Sequence, residues 1–251
     1  MRFFYWAGGI LLYLVFLAAT APVDALLWTL NSLGPGGVVA EGASGTLWMG
    51  EARRIVITPG GGQAVSIGPA SWKIHPLRLL LGELSVGVRL DGSVRGKADF
   101  SLGARGVAFR QLDVSLPAAW LATLLQPGIE MWQPGGTLTL RSRNLALQSG
   151  NYGGKGEIAW EQAALGISPV RPLGNYLAEI SGAGKSIQFQ IHTRSGPLEI
   201  LGNGAWSQLG LEFTGSARAR EKEANLSSLL GMMGNRQPDG SYALRLEGRG
   251  R

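Results

Sequence analysis

Residues 182–186 read Gly-Ala-Gly-Lys-Ser, which resembles the end of a phosphate-binding loop. That loop has the pattern Gly-x-x-x-x-Gly-Lys-Ser/Thr, because backbone amides, a lysine and a hydroxyl hold the phosphates and their metal ion. The first glycine of the pattern would fall on Glu179, a carboxylate at the place where phosphates would bind. Residues 187–191 then alternate as a strand does, whereas the loop must lead into a helix N-terminus. The sequence therefore argues against a nucleotide site.

The histidines and carboxylates form no recognisable catalytic or metal-binding pattern. His75 and His192 are the two histidines, and they lack the spacing of paired metal ligands. No Gly-x-Ser-x-Gly segment marks a nucleophilic serine, and the carboxylates fall at polar strand positions or in turns. The absence of cysteine excludes disulfides and cysteine-based metal or redox sites. We therefore expect no catalytic residue, no cofactor and no metal, and a protein that is not an enzyme.

The composition is typical of a β-rich protein with many tight turns. The chain of 251 residues has 39 glycines, while charged residues make up 16%. The net charge of +6 is scattered along the chain. Such a distribution forms either a solvated polar surface or one that attracts anionic lipid headgroups or an acidic partner. We expect no nucleic-acid partner, because no basic cluster with interleaved aromatic residues is present.

The first two dozen residues predict a membrane anchor. Residues 3–23 carry no charged side chain, follow Arg2 and end before Asp24. A helix of that length spans roughly 30 Å, the thickness of the hydrocarbon core of a bilayer. The positive-inside rule places the N-terminus in the cytoplasm and the rest of the chain outside. The large apolar residues assigned to the anchor are Phe3, Phe4, Tyr5, Trp6, Ile10, Leu11, Leu12, Leu14, Val15, Phe16 and Leu17.

A cleaved signal peptide is the alternative for the same segment. Arg2 supplies a basic start, and Ala19-Thr20-Ala21 is an acceptable small-residue cleavage site. The apolar run is longer than the core of most signal peptides, which favours the anchor. The two interpretations differ in whether the domain remains tethered after export.

Beyond the anchor, apolar and polar residues alternate with a period of two. Clear examples are residues 84–90, 112–116, 187–191, 209–214 and 242–247. Gly-rich and Asp-Gly turns separate these runs, which favours antiparallel hairpins over parallel crossovers. We predict a mainly β fold with about a dozen strands in a large, strongly curved antiparallel sheet, which forms an open barrel or groove.

Three breaks in the alternation predict a short helix or turn at residues 75–81 and short helices at residues 117–125 and 225–233. Pro117 suits the first turn of the second helix, and Asn225 and Gly234 suit the cap and the stop of the third. The predicted organisation is an anchor at 1–23, a juxtamembrane segment at 24–36 and a β domain at 37–251. A subdivision is possible near 117–135.

Three segments carry a resemblance to the protein N family of the type II secretion system. Residues 42–50 are similar to the Gly-Thr-Leu-Trp-x-Gly segment that follows the anchor in that family. Residues 70–82 resemble its Trp-x-x-x-Pro-x-x-Leu-Leu block, and residues 229–248 resemble its end. The motif residues, which we interpret as structural, are Gly45, Thr46, Leu47, Trp48, Gly50, Trp72 and Pro76.

The resemblance implies a single-pass protein of the bacterial inner membrane with a periplasmic β domain. It also implies an accessory role in the export of folded proteins, through contacts with the inner-membrane platform and the outer-membrane secretin. AsmA-like periplasmic proteins, which are associated with lipid transport, are the alternative, because they also combine an N-terminal anchor with a long antiparallel sheet. An open apolar groove would favour a lipid ligand, and a filled interior would favour a scaffold for protein contacts.

Overall fold

The computed structural model describes residues 6, 13, 16, 17, 20–23, 36–59, 64–120, 132–220 and 223–249. Most of the predicted anchor lies outside these residues, including Phe3, Phe4, Tyr5, Ile10, Leu11, Leu12, Leu14 and Val15. Trp6, Phe16 and Leu17 lie within them, and their side chains are exposed. Within the described part of the chain, no helix combines the length and the apolar character needed to cross a membrane.

The chain divides into two compact units, residues 1–93 and residues 94–251. The subdivision predicted near 117–135 stays a prediction. Each unit is a meander in which successive strands pair side by side, and the pairs within each unit are antiparallel. The mainly β, antiparallel prediction is therefore confirmed.

Between residues 36 and 93, the described part of the first unit forms five strands and one short helix. Both β1 and β2 pair with β3, so together they act as one interrupted strand. The meander then continues from β3 through β4 to β5. The elements are β1 (Gly36–Glu41), β2 (Ser44–Gly45), β3 (Met49–Pro59), β4 (Val65–His75), α1 (Pro76–Leu79) and β5 (Glu83–Asp91).

The second unit is a longer antiparallel meander that also contains interrupted strands. Here β8 and β9 lie end to end against β7, and β10 and β11 lie end to end against β9 and β8. The structure describes 17 strands, or 14 when each interrupted strand is counted once, slightly more than the predicted dozen. The strands are β6 (Arg95–Gly103), β7 (Gly106–Pro117), β8 (Gly135–Ser142), β9 (Ala146–Gln148), β10 (Asn151–Gly153), β11 (Lys155–Ala164), β12 (Gly174–Ala183), β13 (Ser186–Ser195), β14 (Leu198–Ser207), β15 (Gly210–Ala219), β16 (Asn235–Arg236) and β17 (Tyr242–Arg249).

Two of the three predicted helices lie where the alternation breaks. Helix α1 begins at Pro76, as the sequence suggested, and α2 (Glu223–Met233) connects β15 to β16. Helix α2 ends before Gly234, as predicted, but it begins before Asn225, so the predicted cap is wrong. A helix starting at Pro117 is also wrong, because Pro117 is the last residue of β7 and pairs with Thr137. The fixed φ of proline suits a strand end as well as a first helical turn, and residues 121–131 lie outside the described part.

The main core of the second unit forms between α2 and the apolar face of the sheet. Leu226, Leu229 and Leu230 lie on one side of α2, at the spacing that gives a helix an apolar face, and all three are fully buried. They pack with residues of the 170–173 segment, β14, β15 and β17, and these are Val170, Leu173, Leu198, Phe213, Ala217 and Leu244. Burial of each leucine contributes roughly 1.5–3 kcal/mol, so α2 is the element that closes this face.

Candidate functional site

The family-like motif of the first unit forms a tight turn between β2 and β3. The backbone N–H of Thr46 donates to the carbonyl of Met49 (2.9 Å), and the N–H of Met49 donates to the Thr46 hydroxyl (3.2 Å). Gly45 has φ +99°, a conformation that side chains disfavour. A Cβ on Gly50 would lie 2.5 Å from the Trp72 ring. Two positions in this turn therefore require glycine for a physical reason.

This turn also joins the end of the apolar N-terminal segment to the strands. The N–H of Leu47 donates to the carbonyl of Ala21 (2.8 Å), and Pro22 forms an antiparallel bridge with Thr46. On the other side, the indole N–H of Trp72 donates to the carbonyl of Leu47 (3.2 Å). We call this contact set, residues 21–23 with residues 45–50 and Trp72, the junction.

The structure thus brings together most of the motif residues identified in the sequence. Gly45, Thr46, Leu47, Gly50 and Trp72 contact one another in the junction. The carbonyl of Trp48 accepts a hydrogen bond from the N–H of Ile74 (2.6 Å), and Pro76 begins α1 two residues later. The contacts are backbone hydrogen bonds and close packing, so this motif positions chain segments and offers no reactive group.

The second unit contains a groove that the sequence analysis missed. It has a volume of about 1310 Å³ and is lined by β7, β8 and β11 to β15. Its floor is a row of side chains that lie directly opposite one another on successive strands. The row runs through Arg141, Glu157, Glu179, Gln190, Asn203 and Thr214.

The charges in the groove are separated along its length. Arg141 contacts Asp113 (Nε to Oδ1, 3.4 Å) and Glu157 (NH1 to Oε1, 3.6 Å), so it is compensated. Arg143 and Lys155 are exposed beside it and form no ion pair within the described residues. The positive charge without an ion-pair partner among the described residues is therefore that of Arg143 and Lys155.

The carboxylates lie farther along the same groove. Glu179 lies opposite Glu157, and Glu212 lines the groove from β15. Both are exposed, and neither has an ion-pair partner among the described residues. Between them lie the amides of Gln188, Gln190 and Asn203. Because charged and amide groups dominate the lining, the groove suits a polar and charged ligand.

The phosphate-loop-like residues 182–186 and the two histidines do not line the groove. Residues 182–186 form the hairpin between β12 and β13, which agrees with the argument against a nucleotide site. His75 ends β4, and His192 lies in β13 outside the groove lining. Within the described residues, no group of three histidine, aspartate or glutamate side chains is placed to hold a metal ion.

The resolved pKa shifts also arise outside the groove. Burial raises the pKa of Tyr176, whose hydroxyl donates to the carbonyl of Leu198 (3.0 Å). A hydrogen bond from Arg220 lowers the pKa of Glu199, with a distance of 2.5 Å between Arg220 NH2 and Glu199 Oε1. These contacts stabilise strand ends, and neither pairs a base with a nucleophile.

The groove was not predicted from the sequence, because the row of side chains on its floor depends on the register of the paired strands. Each member occupies an ordinary polar position of an alternating strand, and only strand pairing places Arg141 next to Glu157 and Glu179. The one local signal was the repeated occurrence of Gln, Asn and Glu on strand faces. That signal is the same for any solvated sheet face.

Comparison with known proteins gives a consistent result for both units. The family model described as Type II secretion system (T2SS), protein N matches residues 36–245. A Type II secretion system protein N from Vibrio cholerae serotype O1 (strain ATCC 39315 / El Tor Inaba N16961) is 30% identical over 149 residues, which cover 55% of this chain and 54% of that protein. The chain therefore spans about half the length of this curated relative. No solved structure matches.

The family match begins at the first residue of β1 and continues into β17, so it includes the turn at residues 45–50, Trp72 and the groove. It confirms the resemblance carried by the turn motif and the Trp72 block. By this match, the chain belongs to the type II secretion system protein N family.

Proposed function

We propose that this protein is a non-enzymatic accessory component of the type II secretion system that acts through protein–protein contacts. The observation that carries the proposal is the family match over residues 36–245. The proposed partners are the inner-membrane platform and the secretin. The proposed location is the inner membrane, with the N-terminus in the cytoplasm and both β units in the periplasm.

The character of the groove supports a role in protein contacts. Pockets for small molecules are mostly apolar and have volumes of about 300–1,000 Å³, whereas this groove is larger and is lined by charged and amide groups. From β8 to β15 it crosses five strand spacings, or roughly 24 Å, which an extended segment of about seven residues would fill. The proposed occupant is a partner segment with acidic residues facing Arg143 and Lys155 and basic residues facing Glu179 and Glu212.

The attachment to the membrane rests on the apolar segment at residues 3–23. Its described members Trp6, Tyr13, Phe16 and Leu17 expose much of their apolar surface. Ala21 and Pro22 contact the turn at Thr46 and Leu47. A tethered segment would therefore pass directly into the first unit, and cleavage after Ala21 would remove the acceptor of the Leu47 hydrogen bond.

The lining of the groove in the second unit favours protein contacts over the lipid-transfer alternative. It requires a groove lined by the apolar faces of the strands, and the groove of the second unit is lined mainly by Arg, Lys, Glu, Gln and Asn. Charged groups at such a surface would have to lose water to admit acyl chains, which is costly. Native mass spectrometry of the purified protein, with a search for bound phospholipid, tests this alternative directly.

The central experiment is complementation of a deletion strain with the full-length chain. We expect the wild-type protein to co-purify with the platform or the secretin and to restore secretion. The double variant Arg143→Glu with Lys155→Glu reverses the charge of these two groove residues. It should reduce both co-purification and secretion. The matched control, Arg89→Glu with Arg194→Glu, makes the same change of charge at exposed positions outside the groove lining.

Two results would count against the proposal in different ways. If the wild-type protein co-purifies with neither complex at native expression, the secretion-component proposal fails. If both double variants behave alike while the wild type still binds, the groove is not the contact surface, although the protein remains a component.

A further inference from the structure

The turn between β4 and β5 presents four leucines to solvent. We call residues 77–81 the leucine loop, with the sequence Leu-Arg-Leu-Leu-Leu. Leu77, Leu80 and Leu81 are 76%, 84% and 83% exposed, and Leu79 is 42% exposed. Isolated exposed leucines are ordinary on protein surfaces, but a contiguous apolar cluster marks an interaction site.

The leucine loop has a defined shape that keeps these side chains outside. The N–H of Leu81 donates to the carbonyl of Arg78 (3.0 Å), and the N–H of Gly82 donates to the carbonyl of Leu79 (2.9 Å). Arg78 also forms an ion pair with Glu83 (NH1 to Oε1, 3.3 Å). The hydrogen bonds and the ion pair hold the turn, so the leucines do not fold back onto the strands.

The leucine loop lies at the same end of the first unit as the junction. The N–H of Ile74 donates to the carbonyl of Trp48, and the N–H of Leu47, one residue earlier, donates to the carbonyl of Ala21. The loop begins three residues after Ile74. The leucine loop therefore follows a strand end that is hydrogen-bonded to the same turn that contacts Ala21.

The charges near the leucine loop have the sign that an anionic lipid surface attracts. Lys73 and His75 are exposed at the end of β4, immediately before the loop. Glu83 is the single carboxylate between residues 73 and 83, and it is paired with Arg78. Basic residues beside exposed leucines are typical of segments that lie in the membrane interface.

We propose that the leucine loop inserts into the periplasmic leaflet of the membrane that holds the anchor. The inference rests on the proposed membrane attachment and adds a second contact to it. A single helix leaves the first unit free to rotate about the helix axis. A second apolar contact beside the junction would fix one orientation of the strands against the bilayer.

The absence of cysteine in the chain permits a clean test. Leu80→Cys in the full chain, labelled with the fluorophore NBD, is reconstituted in vesicles of phosphatidylethanolamine and phosphatidylglycerol. The control is Ala64→Cys, an exposed position at the other end of β4. Eleven residues of strand separate the two labels by roughly 35 Å. Vesicle flotation verifies that each protein is membrane-bound before fluorescence is measured.

We expect a blue shift of the Leu80 label and quenching by nitroxide lipids about twofold or more above that of the Ala64 label. That difference follows because an interfacial apolar segment lies about 5–10 Å below the headgroup boundary. Replacing phosphatidylglycerol by phosphatidylcholine should reduce the difference, since Lys73 then loses its anionic counterpart.

Three outcomes would overturn the proposal. Equal quenching of the two labels in floated vesicles shows that the loop stays in water while the anchor holds. A blue shift of the Leu80 label without lipid quenching shows that protein, such as a second copy, covers the loop. Failure of the unlabelled wild type to float shows that the membrane attachment itself is wrong.

Discussion

The two units are both antiparallel meanders, but they close their apolar surfaces differently. Among the described residues of the first unit, the buried apolar side chains are Val23, Ala52, Ala70 and Ile74. In the second unit, α2 contributes three fully buried leucines to a nine-residue cluster. The first unit thus includes a residue of the N-terminal segment in a small core, whereas the second supplies its own cover. The larger described apolar cluster therefore belongs to the second unit.

The exposed surfaces of the two units also differ. The first unit exposes a leucine loop beside the junction, and the second exposes a groove lined by charges and amides. A meander allows different surfaces on one sheet. Alternate residues of each strand determine its two faces, and the turns determine its two ends.

The largest expected effect is the loss of a buried leucine from α2. Leu230→Ala removes a side chain that is 1% exposed, and we expect it to lower the free energy of unfolding by about 2–5 kcal/mol. Leu80→Ala, in the leucine loop, should change it by less than about 0.5 kcal/mol. Urea unfolding monitored by tryptophan fluorescence measures both. Equal effects would show that the contrast between the two units is wrong.

The next effect concerns the junction of the first unit. Gly50→Ala places a Cβ about 2.5 Å from the Trp72 ring and 2.6 Å from the carbonyl oxygen of Ser44. We expect a loss of about 1–3 kcal/mol and faster proteolysis near residue 21. The control is Gly37→Ala, whose Cβ would have no neighbour within 4 Å. If both variants keep wild-type stability, the junction does not hold the N-terminal segment.

A smaller effect is expected in the groove. Arg141→Ala leaves Glu157 opposite Glu179 without a cation, and we expect a loss of up to about 1 kcal/mol that shrinks as salt is added. The control is Arg54→Ala, which removes an exposed contact with Glu41 in the first unit (3.4 Å). That control should change stability less, because among the described strand pairs Glu41 lies opposite Arg54 and not opposite a second carboxylate. The free energy of unfolding of each variant, measured at low and at high salt, distinguishes the two effects.

The smallest effect is a pH dependence at the end of the second unit's sheet. The hydrogen bond from Arg220 holds the pKa of Glu199 below its usual range. A lowered folded-state pKa contributes stability that is present above the unfolded-state pKa and is lost as the pH falls through the folded-state value. Glu199→Gln should therefore weaken acid destabilisation slightly, while leaving the neutral protein a little less stable.

A double-mutant cycle checks the assignment of that pH dependence. Arg220→Gln should give the same change as Glu199→Gln, and the double variant should add nothing further. Melting curves at neutral and acidic pH provide the measurement. An unchanged acid profile in all three variants would show that this pair does not contribute.

Pro117 and Asn225 show why local sequence rules predicted two helix starts wrongly. Pro117 satisfied the rules for a first helical turn, yet it ends β7, where it lies opposite Thr137 in an extended backbone that proline also supplies. Asn225 satisfied the rules for a cap, yet α2 begins earlier, at Glu223. In both cases a residue suited two local conformations, and its neighbours in space selected one of them.

The sequence alone determined the class of fold, the position of α1 and the stop of α2, and the family. The period-two alternation, Pro76, Gly234 and the Gly-Thr-Leu-Trp-x-Gly turn are local features, so they can be read without knowing which strands pair. Only the tertiary structure decided that Ala21 contacts Leu47 and that Arg141, Glu157 and Glu179 form one row. Strand register is a non-local property, and a shift of one residue would move every side chain of that row to the other face.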